Sequence, residues 1–415
     1  MALFYQGRLS NGMRLVIEEI PSVRSVSLGV WINTGSRDES ERTNGMSHFI
    51  EHMMFKGTDK LSARQIAELF DGIGGQVNAF TSKEYTCYYA KVLDEHFNLA
   101  LETLADMLIN SKLSSDELAK ERKVIIEEIK MYEDTPDDQV HDLLASTIFP
   151  NHTLGYTILG SESNLLSFTR EDMVDYLKLH YRPDNMVLAI AGNVKADDAH
   201  KAAEHFFAGL SGSRPVIQQV PPVFHANKQI RKKSTEQAHI CLAGSGFAFD
   251  DPSIYPLILL NNIVGGSSSS RLFQEIREER GMAYSVYSFY SSYRDGGTFG
   301  VYTGTSPEQA QDAICLLGQI LSDLADKGVT AEELKKAKDQ VKGSLMLSLE
   351  STSSRMSRLG KNELLLGRQV TMDETVRRIN EVTLEQVREV AAKVCGGPMA
   401  LAAIGPFEEL EYPMN

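Results

Sequence analysis

Cysteine is scarce in this chain. There are four in 415 residues, Cys87, Cys241, Cys315 and Cys395, and no two form a C-x-x-C pair. That spacing excludes a thiolate zinc finger and argues against a disulfide framework, so a reducing, cytoplasmic setting is expected. No window approaches the ~18 uncharged apolar residues that a membrane-spanning helix requires. The opening MALFYQGRLSNGMRL has no apolar core and carries Arg8 and Arg14 early, so no secretory signal is expected. Positive charge is not in excess either: Lys+Arg is 42 against Asp+Glu 56, a formal net charge of -14. A nucleic-acid-binding chain usually shows a basic face, so the balance favours basic or neutral partners instead. Apolar material is ample, with 42% hydrophobic and 24% charged residues, as in ordinary globular proteins with more than one core.

The chain repeats itself. FTREDMVDYLKLHYRPDNMVLAIAGNV (168–194) and VTLEQVREVAAKVCGGPMALAAIGPF (382–407) share one grammar of capped amphipathic helix, turn and apolar strand. SSDELAKERKVIIEEIK (114–130) matches TAEELKKAKDQVKGSLM (330–346), and VSLGVWINTGS (26–36) matches HICLAGSGFAF (239–249). The common spacing implies a duplicated unit of roughly 200 residues. Between the copies, GLSGSRPVIQQVPP (209–222) is rich in Gly, Ser and Pro, which suits a linker. The expected division is a first domain over 1–210, a linker over 211–226 and a second domain over 227–415. Alternating, aromatic-rich runs at 77–92 and 284–304 predict hairpin strands, and 94–110 and 307–328 carry helical periods. The fold class predicted is α+β: two homologous duplicated domains, each a mostly antiparallel sheet with helices packed on one face.

The chemistry lies in GMSHFIEHMMFKGT (45–58), which places His48, Glu51 and His52 as H-x-x-E-H. On a helix the two histidines are one turn apart and share a face, so both imidazoles can bind one Zn²⁺. Glu51 points close to that face, within reach of a general-base role. This is the inverted form of the common zinc-protease motif. Zinc needs a third protein ligand, and the helix expected over 115–132 offers Glu121, Glu127 and Glu128, of which Glu121 and Glu128 share a face. The duplication provides a control. In copy two, Glu121 aligns with Ala337 and Glu128 with Ser344, and the stretch comparable to the motif reads PLILLNNIVGG. Histidines and carboxylates are lost together, which indicates one metal site, in copy one.

HFIEH followed by a glutamate within VIIEEIKMYED resembles the pitrilysin family of zinc metallopeptidases. Length and duplication resemble its short-subunit type, near bacterial homologues of the mitochondrial processing peptidase β-subunit. The resemblance spans essentially the whole chain and implies a zinc-dependent endopeptidase with one Zn²⁺ per chain. It implies His48, His52 and Glu128 as ligands, Glu51 as general base toward the zinc-bound water, and Glu121 as the carboxylate that orients the site from behind. SSSSRLFQEIREERGMAYSVYS (267–288) resembles the family segment whose Arg and Tyr, here Arg277 and Tyr284, contact substrate; Arg271 and Arg280 are alternatives for the arginine. VNAFTSKEYT (77–86) resembles the substrate-binding edge strand, with Asn78, Ala79 and Phe80 lining it. The family's non-catalytic partners carry an extended glycine-rich loop, whereas here only Gly265 and Gly266 precede Ser267 to Ser270. The resemblance therefore implies a homodimer enclosing a chamber, with the active site completed in trans and extended or unfolded peptides as substrates, and the net charge of -14 favours basic ones. Neither nucleic acid nor membrane is expected as a partner. The alternative is a non-catalytic core subunit of a larger complex, but such chains usually lose motif residues that are all present here.

Overall fold

The computed structural model describes residues 3–215 and 219–412. Of the linker expected at 211–226, residues 216–218 therefore lie outside the described residues, and the remainder carries neither helix nor strand. The chain divides into two compact units: Met1–Lys130 with Tyr156–Gln218 and Leu347–Gln369, and Met131–Gly155 with Gln219–Met346 and Val370–Asn415.

The first unit holds a six-stranded sheet. Its strands are β1 (Leu3–Arg8), β2 (Arg14–Glu19), β3 (Ser25–Ile32), β4 (Gln76–Thr81), β5 (Thr86–Leu93) and β6 (Met186–Gly192), in the order β1-β2-β6-β3-β5-β4. Every neighbouring pair is antiparallel except β2 with β6. The second unit holds β7 (Lys228–Lys232), β8 (Ala238–Ser245), β9 (Ala283–Ser292), β10 (Gly297–Thr305) and β11 (Ala400–Gly405), in the order β7-β11-β8-β10-β9. Here only β7 and β11 run parallel. Both sheets are mostly antiparallel, as the alternating runs implied.

The central strands read as continuous apolar runs, SVSLGVWI in β3 and MVLAIAG in β6, because both of their faces are covered. On one face Leu28, Val30, Ile32, Leu188 and Ile190 join the main core with the helices Met46–Met54 and Phe97–Asn110. This is the helical layer expected from the sequence. The other face carries one further helix, Thr352–Leu366, whose Met356, Leu359 and Leu364 pack on Val16, Trp31, Val187 and Ala189. The fit is close: a Cβ on Gly360 would lie 2.2 Å from Trp31 Nε1. The second sheet is covered in the same way. Val140, Leu143, Leu144 and Ile148 of the helix Pro136–Ile148 pack on Cys241, Ala243, Ala400, Ala402 and Ile404. Each half thus lends one helix to the other half's sheet, and in both cases the helix follows one of the two repeat-matched helices, Ser115–Glu133 and Ala331–Ser348.

Candidate metal centre

The helix Met46–Met54 carries the histidine motif and begins with a demanding turn. Gly45 sits at φ +99, and a Cβ there would lie 2.8 Å from the Leu159 carbonyl oxygen, so only glycine suits the position. The Glu39 carboxylate accepts hydrogen bonds from Gly45 N at 2.9 Å and Ser47 N at 2.7 Å. Asn44 Nδ2 donates to it at 3.0 Å. A carboxylate at a helix N-terminus satisfies otherwise orphaned N–H groups and complements the helix dipole. Burial pushes the Glu39 carboxyl up in pKa, and these three bonds push back. The helix buries Met46, Phe49, Ile50, Met53 and Met54 in the core, which fixes the opposite side, where the polar motif residues lie.

His48 and His52 stand with ring centroids 4.6 Å apart. Glu128, on the helix Ser115–Glu133, places Oε2 3.8 Å from His48 Nε2 and 3.6 Å from His52 Nε2. A tetrahedral zinc with bonds of about 2.0–2.2 Å separates its ligand atoms by about 3.3–3.6 Å. Among the described residues, these three side chains form the one group of three or more His, Cys, Asp or Glu able to hold a metal ion, their ligand atoms all within 4.8 Å of one another. Glu128 Oε2 is buried with no hydrogen-bond partner. A buried carboxylate oxygen facing two imidazole nitrogens is a donor set short of a cation, and it fits zinc. Glu127 points elsewhere, its exposed carboxylate paired with Lys130 at 2.7 Å. Burial, and then the neighbouring His52, lowers the His48 pKa to about 3, which keeps its ring in the neutral, ligating form.

The surrounding carboxylates are held firmly. His52 Nδ1 donates to Glu121 Oε1 at 2.9 Å, which leaves Nε2 with its lone pair toward Glu128. Lys56 Nζ reaches Glu121 Oε2 at 2.6 Å. Burial raises the Glu121 pKa, but the bonds from His52 and Lys56 outweigh it, and the net shift is downward. Glu51 Oε2 accepts the Thr81 hydroxyl at 2.5 Å. Burial raises the Glu51 pKa, and the Thr81 bond opposes that shift.

Thr81 ends β4, and β4 is an edge strand, as the family resemblance implied. Asn78 on it is exposed, Ala79 is buried, and Phe80 is half-buried against Trp31, Tyr85 and Tyr89. The turn after β4 is tied to the loop that leads into the motif helix. Ser36 N donates to Ser82 O at 3.2 Å and Arg37 N to Lys83 O at 2.7 Å. The buried Arg37–Glu84 ion pair closes at 2.6 Å.

In the second unit Tyr284 lies on β9, again an edge strand, and its side chain is 77% exposed. Arg277 belongs to a π-helical turn, Phe273–Glu278, and its guanidinium lies over the Tyr284 ring at 4.7 Å and the Phe273 ring at 4.6 Å. Arg271 is committed to Glu333 at 2.6 and 2.9 Å, and Arg280 bonds the Glu275 carbonyl at 3.0 Å. Three contacts had no counterpart in the sequence reading: Glu39 on the motif helix, Thr81 on Glu51, and Lys56 on Glu121. All three pairings are set by tertiary structure, Lys56 lying just past the motif helix and Glu121 on a separate one, so spacing along the chain does not reveal them. His141 bonds Tyr287 OH at 2.8 Å under the second sheet.

With this geometry in place, comparison with known proteins identifies the class. Residues 14–162 match the family profile Insulinase (Peptidase family M16), and residues 167–341 match Peptidase M16 inactive domain. The chain belongs to peptidase family M16 and is a zinc metallopeptidase. Its relatives include the uncharacterized zinc protease YmxG of Bacillus subtilis, 53% identical over 396 residues, covering 95% of this chain and 97% of that one. The uncharacterized zinc protease SCO5738 of Streptomyces coelicolor is 42% identical, covering 97% and 89%. The fold is shared with a protease from Helicobacter pylori at TM-score 0.91 and 21% identity, covering 98% of this chain and 100% of that one. A peptidase M16 inactive domain from Pseudomonas fluorescens aligns at TM-score 0.90 and 21% identity, covering 100% of both chains. Among the described residues no helix is long and apolar enough to cross a membrane.

Proposed function

We propose that this peptidase is an endopeptidase for extended or unfolded peptides, with His48, His52 and Glu128 holding one zinc and Glu51 moving the proton. The observation that carries this reading is the buried, unpartnered Glu128 Oε2 facing both histidine Nε2 atoms. Bound zinc would polarise the peptide carbonyl and acidify water. Glu51 takes the proton of the attacking water and delivers it to the leaving amine. Thr81 holds one oxygen of Glu51, so the other is the proton-accepting atom. Glu121 keeps the His52 proton on Nδ1.

The edge of β4, with Asn78, Ala79 and Phe80, suits an extended peptide bound through backbone hydrogen bonds, a mode indifferent to sequence. The net charge of -14 favours basic peptides. The halves 1–210 and 227–415 act as duplicated units, the first catalytic and the second substrate-contacting. Tyr284, exposed on its own edge strand beneath Arg277, suits donation to a developing oxyanion. In this reading two chains close into a homodimeric chamber, and Arg277 and Tyr284 serve the partner's zinc site. Mixing Glu51→Gln chains with Tyr284→Phe chains tests it. If the site is shared in trans, mixed dimers regain one intact site and activity returns. If each chain completes its own site, the mixture stays inactive.

A further inference from the structure

We propose that Lys56 is a positioning residue that sets the zinc affinity of the site, acting through Glu121 and His52. This rests on His48, His52 and Glu128 being the zinc ligands. The contacts run in series. Lys56 Nζ meets Glu121 Oε2 at 2.6 Å, Glu121 Oε1 meets His52 Nδ1 at 2.9 Å, and His52 Nε2 faces Glu128 Oε2 at 3.6 Å. The Glu121 side chain is 6% exposed, so water is a poor substitute for either partner. Lys56 and His52 are also its only hydrogen-bonding or ionic side-chain partners among the described residues.

Lys56 is itself held in place. Its backbone N–H bonds the Met53 carbonyl at 3.0 Å, just beyond the end of the motif helix. Beside it lies an open cleft of about 610 Å³, lined by Phe55, Ile66, Phe70 and Val77 among others. Asp71, Gln76 and Asn78 also line it; its apolar residues suit the methylene stem of Lys56, while the ammonium turns toward Glu121. Without the amine, Glu121 Oε2 is left buried and unpaired, and the carboxylate gains by turning toward water. Turning breaks its bond to His52 Nδ1. The imidazole then loses both its fixed tautomer and its aim at the metal position. Copy two of the duplication lacks the device altogether, with Ala337 in the place of Glu121.

The test measures zinc affinity by competition with a chromogenic chelator, without reference to catalysis. The proteins are wild type, Lys56→Met, Lys56→Arg, Glu121→Gln and the double variant K56M/E121Q. Wild type is expected to bind one zinc per chain. Lys56→Met is expected to bind about tenfold more weakly, in line with other lost supports of a metal-ligating histidine. Lys56→Arg is expected to restore most of that loss, and the double variant to bind no more weakly than Glu121→Gln alone. If Lys56→Met does not fold, as judged by the melting of the zinc-free protein, Lys56→Gln is held to the same criterion. Affinity in Lys56→Met equal to wild type, or two losses that simply multiply in the double variant, overturns the proposal. A wild type that binds no zinc overturns the ligand assignment itself, which is a separate outcome.

Discussion

Thr81 donates its hydroxyl hydrogen to Glu51 at 2.5 Å, so the strand that ends beside the motif helix also fixes its carboxylate. A hydrogen bond to a charged group is worth about 1.5–3 kcal/mol. If that bond aims Glu51 in the reaction, Thr81→Val should lower kcat by about 10- to 100-fold with little change in KM. Zinc content should not change, because Thr81 touches no ligand. Thr81→Ser should recover most of the rate. Steady-state kinetics alongside metal analysis checks all three outcomes.

Glu39 and Ser47 form the second local constraint, the carboxylate oxygen 2.7 Å from the backbone nitrogen. Glu39→Ala removes the cap of the motif helix and leaves Gly45 N and Ser47 N without their acceptor. Losing a cap costs about 0.5–2 kcal/mol, and burial of the orphaned donors adds about 1–3 kcal/mol. Urea unfolding should show this as a lower midpoint with an unchanged slope.

The Arg37–Glu84 pair is buried, its side chains 2% and 5% exposed. Removing one partner leaves the other charge in the interior, at a typical cost of about 3–5 kcal/mol. Arg37→Met and Glu84→Gln should each destabilise strongly. The double variant should be less unstable than the sum of the two, because the two side chains are in direct contact and their effects couple. Thermal melts of the four proteins measure this coupling.

His180 supplies a pH dependence away from the metal. It is buried, contacts Thr34 Oγ1 at 3.3 Å, and lies with its ring centroid 4.2 Å from that of Tyr176. Burial, then the nearby Arg214, lowers its pKa to about 4, while Asp38 pulls the other way. In the unfolded chain an unperturbed histidine titrates near 6.5. The unfolded state therefore binds the extra proton first, and stability falls as pH drops from about 6.5 to about 4. His180→Gln should lose stability at pH 7 but show a flatter acid limb over that window. Paired urea titrations at several pH values read the difference directly.

The parts of the site legible in sequence were the local ones. His48, Glu51 and His52 lie within one helical turn, so their spacing alone places them together. Glu127 and Glu128 could not be separated from the residues without the family resemblance, because the decision lies in how two remote helices pack; the structure turns Glu127 to Lys130 and Glu128 to the histidines. The sheets were legible through alternation and duplication. The exchange of the helices Pro136–Ile148 and Thr352–Leu366 was not, since each is an ordinary amphipathic helix whose target strands are far away in sequence. Thr81 escaped for the same reason: nothing in NAFTS reveals which carboxylate its hydroxyl will meet.

The central claim is that Glu51 moves the proton at a zinc held by its neighbours. The most direct test compares wild type with Glu51→Gln on a fluorogenic basic peptide, with zinc measured in both. The account requires cleavage by wild type, and loss of cleavage in a variant that still carries about one zinc per chain. Undiminished cleavage by Glu51→Gln, or a wild type that takes up no zinc and cleaves nothing even after zinc is supplied, would contradict it.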